Sequence, residues 1–225
     1  MEHRAHIATL ISSLVRRDDL DQLVIDLSGS RVDNVVSTPG IDESIVRYFD
    51  AVPALRLRWC LDFLTTTIQT LDTGIDLVMG ACTILPLPQV LDPANTVRLA
   101  GSRFFAHHDE LQRALAAVRV FDDGSPNYLA YFKVEDGSMR DRVYLSYSTY
   151  RERIFDLELS IDAYVALGTA AAFVADWQLA LLAIKKHSTQ NILHYLPALF
   201  PELLDGEFLS RLVARGLTDE SFAHR

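Results

Sequence analysis

Three groups of residues in this sequence have the side-chain types that chemistry requires. They are the adjacent aspartates Asp122 and Asp123, the pair His107 and His108 with Asp109 and Glu110 beside it, and the histidines His187 and His194. Paired carboxylates can serve as a general base or hold a metal, and imidazole can carry a proton or bind zinc. Spacing argues against each group acting alone. DDGSPNYLAYFKVE, which starts at Asp122, lacks the glycine and glutamate that a calcium loop needs at its sixth and twelfth positions. Neighbouring side chains diverge on a strand, so a catalytic dyad here would need another carboxylate or histidine from elsewhere in the chain. His107 and His108 do not converge either, and a capping or surface role suits them better. Ser188, Thr189 and Gln190 read as a cap that interrupts the path from His187 to His194. No phosphate loop, nucleophile elbow or zinc-protease motif occurs, and GTAAAF at Gly168 lacks the lysine of a phosphate loop. The residues therefore assign no catalytic group, no cofactor and no metal. The opposing reading is a hydrolase with an acidic/histidine site, in which Asp122 and Asp123 act as base or metal ligands and His108 as proton carrier or ligand.

The formal charge of −9, from 21 basic and 30 acidic residues, argues against a nucleic-acid partner and suits a basic protein partner. At 225 residues and 49% apolar composition the chain can bury a real core without a disulfide or metal. Cys60 and Cys82 sit in apolar surroundings and read as two buried free thiols. The N-terminus reads as an amphipathic helix rather than a secretory signal. The most apolar run, from Ala163 to Ala175, is cut by Asp176 and falls short of the roughly 20 residues that a membrane span needs. The expected compartment is the cytoplasm, with no membrane partner.

Helical spacing opens the chain: Ile7, Leu10, Ile11, Leu14 and Val15 share a face, and DDLDQLVIDL offers a second short helix. A break follows between Ser28 and Gly40. Ile45, Val46 and Phe49 resume a helical face, and LRWCLDFLTTTIQTL reads as a further helix with Trp59, Phe63 and Leu64 in the core. After the turn DTGID, LVMGACTILPLPQV reads as one strand or two short ones, ended by Pro86 and Pro88. Asp92 to His108 shows no period, and His108 to Arg119 reads as a helix with Leu111, Leu115 and Val118 on one side.

The period then becomes two. Tyr128, Ala130, Phe132 and Val134 project one way, and Leu129, Tyr131 and Lys133 the other. Asn127–Val134 and Arg142–Ser148 should pair as an antiparallel hairpin across EDGSMRD. Asp123, Gly124, Pro126 and Asn127 have turn chemistry. Ser160 should cap the start of IDAYVALGTAAAFVADWQLALLAIKK, with Asp162 in its first turn, and Gly168 either permits a close contact or divides the helical segment. In that helix Phe173, Trp177, Leu181 and Ile184 form an inward stripe, beside which a homodimer contact has room. TQNILHYLPALF and DGEFLSRLVARGL complete a helical tail.

Several of these stretches, in this order, resemble the SUKH superfamily, the cell-wall-synthesis-regulator-like fold of many bacterial immunity proteins. ESIVRYFDAVPALRLRWCLDFL resembles its helical lead, with Leu57, Phe63 and Leu64 in place and Arg58 where the family has proline. ILPLPQV, VFDDGSPNYLAYFKV, RVYLSYS and SIDAYVAL resemble its strand-and-proline entry, its acidic turn between strands, the continuing sheet and the final helix. The resemblance spans Glu43 to Leu167. It implies a cytoplasmic, non-enzymatic domain that binds and neutralises a toxin, with a regulatory or scaffold protein of the same fold as the alternative.

The fold expected from these readings is α+β, a central mixed, mainly antiparallel sheet covered by helices. Its parts are a helical extension over 1–40, a binding domain over 41–168 and a helical extension over 169–225. Asp122, Asp123 and Tyr128 are the candidate interface residues, the turn offering charge and the strand an aromatic anchor. The alternative for them is structural, with Tyr128 in the core and the aspartates in the turn.

Overall fold

A computed structural model of the chain describes residues 12, 16, 20–26, 45, 47–48, 59–70, 74–100, 117–124, 127–136, 138–150, 153–171, 173–174 and 177–182. Strands β1 (Leu20–Asp26), β2 (Trp59–Thr70) and β3 (Gly74–Ile84) are followed by helices α1 (Leu87–Leu91) and α2 (Pro93–Ala100). Strands β4 (Val118–Gly124), β5 (Tyr128–Glu135) and β6 (Ser138–Tyr147), a 3-10 turn (Ser148–Tyr150) and strand β7 (Ile154–Asp156) come next. Helices α3 (Ile161–Ala170) and α4 (Trp177–Leu181) close the order.

The chain forms two compact units. One comprises Met1–Ile25, Leu61–Ala81 and Val165–Arg225, the other Asp26–Cys60 and Cys82–Tyr164. The units differ from the linear blocks expected from the sequence. Residues 61–81 group with the two terminal segments, in keeping with a sheet order that places β2 between β1 and β3.

In the second unit the end of β3 and strands β4 to β7 form a five-stranded antiparallel sheet in which each strand pairs with its chain neighbour. The fold is α+β. Strands β4 and β5 are buried on both faces, as the two-sided apolar pattern of YLAYFKV requires of interior strands. The hairpin of β5 and β6 is tighter than expected: Glu135 pairs with Ser138, so only Asp136 and Gly137 connect the strands. Asp136 takes a left-handed φ of 51°, the conformation that Asp-Gly turns supply. Most of EDGSMRD is therefore strand, and β6 begins before Arg142.

Two helices expected from the sequence are strands. DDLDQLVIDL contains β1, and LRWCLDFLTTTIQTL contains β2. The run Thr65 to Ile68 is β-branched, which costs side-chain freedom in a helix and fits a pleated strand. Val118 and Arg119, expected at the end of a helix, begin β4. Helix α2 lies where no period was legible. Asp92 Oδ1 accepts the Ala94 N–H at 2.9 Å, with Pro93 opening the helix. Strand β3 agrees with the sequence reading, and Cys82 is a buried free thiol. Most of the stretches read as the first amphipathic helix, the helix from His108 and the helical tail lie outside the described residues, as do Ile184 and the side chain of Cys60.

Helix α3 starts as its sequence predicts. Ser160 Oγ accepts the Ala163 N–H at 3.0 Å, and Asp141 Oδ1 accepts the Ile161 N–H at 2.9 Å. The same carboxylate accepts the Tyr48 hydroxyl at 2.8 Å. Burial and this acidic neighbour push the Tyr48 phenol well above its ordinary range.

In the first unit the helical segment is divided shortly after Gly168, and that glycine also makes a close contact, the two roles its position allowed. The Phe173 N–H donates to the Gly168 carbonyl at 2.7 Å, and Phe173 has a left-handed φ of 50° before α4 begins at Trp177. The break brings the Phe173 and Trp177 rings edge to face at 6.0 Å, both against Gly168. Phe173, Trp177 and Leu181 are buried as the stripe predicts, although they do not share one helix. No helix of the described residues is long and apolar enough to cross a membrane.

A methyl group at Gly168 would run into both rings. Gly168→Ala should therefore lower stability by about 1–3 kcal/mol through overpacking, and Trp177→Ala by about 3–5 kcal/mol through the cavity it leaves. Urea unfolding of the purified variants measures both losses. A Trp177→Ala midpoint equal to wild type would remove the indole from the core.

Candidate functional site

Asp122 is fully buried, and a bulge places it there. Val120 pairs with Tyr131 and Asp122 with Ala130, which leaves Phe121 as the extra residue on β4. On a regular strand Phe121 and Asp122 would point to opposite faces. Here both reach Tyr164 on α3: the Phe121 ring meets the Tyr164 ring edge-on at 5.3 Å, and Asp122 Oδ2 accepts the Tyr164 hydroxyl at 2.7 Å. The bulge turns a charge that alternation would send elsewhere toward the helix.

Two more donors complete the shell. The Tyr128 hydroxyl donates to Oδ2 at 3.0 Å, and the Thr83 N–H of β3 donates to Oδ1 at 3.1 Å. Tyr128 stands across from Gly124 in the β4–β5 ladder, and a Cβ at Gly124 would collide with its ring. The glycine thus gives the ring room to lie across the strand with its hydroxyl at Asp122. The turn itself closes with the Asn127 N–H donating to the Gly124 carbonyl at 2.9 Å.

Burial pushes the Asp122 carboxyl up to about 6. The bonds from Tyr164, Thr83 and Tyr128 pull it down, and the neighbouring Asp123 charge adds a small upward push. The Tyr128 phenol is raised, first by burial and then by Asp122, so it stays a donor. Desolvation outweighs three hydrogen bonds because the partners are a backbone amide and two neutral phenols. The arrangement ties β3, β4, β5 and α3 together.

The second polar arrangement lies on the opposite face of the hairpin. Tyr144 of β6 is half-buried between two β5 side chains: the Tyr131 ring, nearly parallel at 19° and 5.9 Å, and Lys133, whose Nζ lies 4.3 Å from the ring centroid. Tyr131 is buried below, its hydroxyl 3.3 Å from Ser146 Oγ. Arg142 forks onto Asp156, its Nε 2.8 and 2.7 Å from the two carboxylate oxygens, and its Nη2 lies 3.6 Å from Glu158. Arg140 Nε meets Glu135 at 2.9 Å. Exposed pairs of this kind add little stability, and they place charge of both signs around Tyr144.

Of the residues singled out from the sequence, Asp122 and Tyr128 are brought together in the interior, and Asp123 is half-buried beside them. Tyr128 is in the core, but both aspartates lie on β4 rather than in the turn; the bulge turns Asp122 inward and the glycine opposite Tyr128 gives that ring its room. His107, His108, His187 and His194 lie outside the described residues. Among the described residues no three His, Cys, Asp or Glu side chains converge as a metal site would require. Sequence reasoning missed Tyr164, Thr83 and Tyr144. A tyrosine on the apolar face of SIDAYVAL was the available signal, since a buried phenol needs an acceptor. Comparison with known proteins finds no family model, no curated protein and no solved structure that matches the chain.

Removing one hydroxyl tests whether the shell acts as a unit. Tyr164→Phe should cost about 1–3 kcal/mol at pH 7.5, where a charged acceptor loses its shortest bond. In an Asp122→Asn background the loss should shrink by about 0.5–3 kcal/mol, the coupling of a shared network. Urea unfolding of the four proteins in this cycle gives the value, and strictly additive losses would show that the two groups do not interact.

Proposed function

We propose that this chain is a non-enzymatic protein-binding domain that docks its partner on the solvent-facing side of β6 and β7 around Tyr144. The partner is a basic toxin domain that it neutralises in the cytoplasm. The observation that carries the docking face is the held ring of Tyr144. An aromatic side chain already fixed between Tyr131 and Lys133 loses little freedom when it is covered. Exposed Glu135, Arg140, Arg142 and Glu158 surround it as a polar rim. The net charge of −9 favours encounter with a basic partner.

The immunity role rests on the SUKH-like order of motifs from Ile84 to Leu167, since WCLDFL of the expected helical lead is strand β2, and the choice of anchor rests on the geometry. Asp123 stays a rim candidate. Asp122 and Tyr128 serve from inside, by fixing the strands on which the face is built. A regulatory or scaffold protein of the same fold remains the competing reading.

Affinity purification from native cells, with wild type and Tyr144→Ala side by side, separates these readings. The proposal expects one basic polypeptide in stoichiometric amount with wild type. The variant should bind it about 30-fold or more weakly, the loss typical of a truncated hot spot. Expressed alone, that polypeptide should arrest growth, and co-expression of this chain should restore it. Undiminished binding by Tyr144→Ala would move the docking face elsewhere. Recovery of housekeeping assemblies alone would favour the scaffold reading.

A further inference from the structure

We propose that Asp122, Tyr128, Tyr164 and the Thr83 amide form a proton-operated latch, which fixes α3 and the end of β3 to β4 when Asp122 is protonated and loosens when it is ionised. The latch stands on the convergence of four elements at one fully buried carboxyl, with donors at 2.7, 3.0 and 3.1 Å. Hydroxyl groups both donate and accept, so the two phenols can serve either protonation state without moving. With the carboxylate ionised, both donate to Oδ2. With it protonated, the carboxyl O–H donates to one phenol oxygen while the other phenol still donates to the carboxyl. The proton is exchanged with water when the cluster opens. No rearrangement is needed at the transition; only the cost of keeping the cluster closed changes.

The groups facing the cluster from each element set the direction. Cys82 lies on β3, Asp123 on β4, Tyr128 on β5, Tyr147 on β6 with its ring 5.6 Å from that of Tyr128, and Tyr164 on α3. The neighbouring Asp123 also disfavours an ionised Asp122. Water stabilises the ionised carboxylate once the cluster opens, and the closed interior does not. The closed-state carboxyl is held up at about 6, against an ordinary value of 3.8. A raised value makes this contribution to the closed state complete below the ordinary value. It falls as pH rises across that window and is gone above about 6.

Amide hydrogen exchange on the full chain, corrected for the intrinsic pH dependence of exchange, reads the latch at the Thr83 amide, which donates to Asp122, and at the Tyr164 amide, which donates to the Ser160 carbonyl in the first turn of α3. Linkage between those two values predicts that the opening constant at the Thr83 and Tyr164 amides rises about tenfold from pH 5 to pH 7.5 in wild type. It should stay level in Asp122→Asn. An equal rise in both proteins, or no rise in wild type, would overturn the proposal. Carbon NMR titration of the Asp122 carboxyl in the wild-type protein tests the same point without a variant. A midpoint near 6 supports the latch, and a midpoint near 4 rejects it.

Discussion

A carboxylate without water must find a hydrogen-bond donor for each of its oxygens, and the second unit is arranged around that demand at Asp122. The side chain lies on β4, its donors on β3, β5 and α3, and none of the three could move far without stranding a buried charge. Losing a partner of a buried ionised group costs more than an ordinary hydrogen bond contributes. The bulge at Phe121, the glycine opposite Tyr128 and the seating of Tyr164 therefore belong to one solution. Each makes sense as a way to bring a donor within 3.1 Å of the same two oxygens.

This internal tie gives the outer face its stiffness. Tyr131 packs beneath Tyr144 on one side of the hairpin, while Tyr128, three residues earlier on the same strand, is bonded to Asp122 on the other. Strand β5 is thus held from both faces, and its two buried tyrosines, Tyr128 and Tyr131, are set by one backbone. The interior network and the Tyr144 ring are separate arrangements joined through one strand, β5.

The centre of the fold was legible because its signals are local. Alternation along YLAYFKV and RVYLSYS fixes two strands, and Ser160 with Asp162 fixes a helix start, whereas the tight turn at Asp136 was read as the longer loop EDGSMRD. β1 and β2 were misread because their apolar residues also fit a helical face, and only pairing with a neighbouring strand decides between the two. The weight of Thr65, Thr66 and Thr67 was the overlooked sign. The Asp122 shell was half legible. Asp122 and Tyr128 stand close in sequence and invite attention together, but Thr83 lies 39 residues before Asp122 and Tyr164 lies 42 after it. No spacing rule links residues so far apart, and the bulge that turns Asp122 inward leaves no mark in the alternation. Tyr144 looked like any strand tyrosine until its neighbours across the ladder were known.

Strands β5 to β7 each pair with the strand made just before them. A ribosome delivering this segment from its N-terminal end hands every new strand a finished neighbour, so the sheet can grow at the rate of synthesis with short loops to close. Tyr164 emerges last of the residues around Asp122. Until it does, the nascent sheet carries a carboxyl still open to water, and the arrival of α3 is the step that shuts water out.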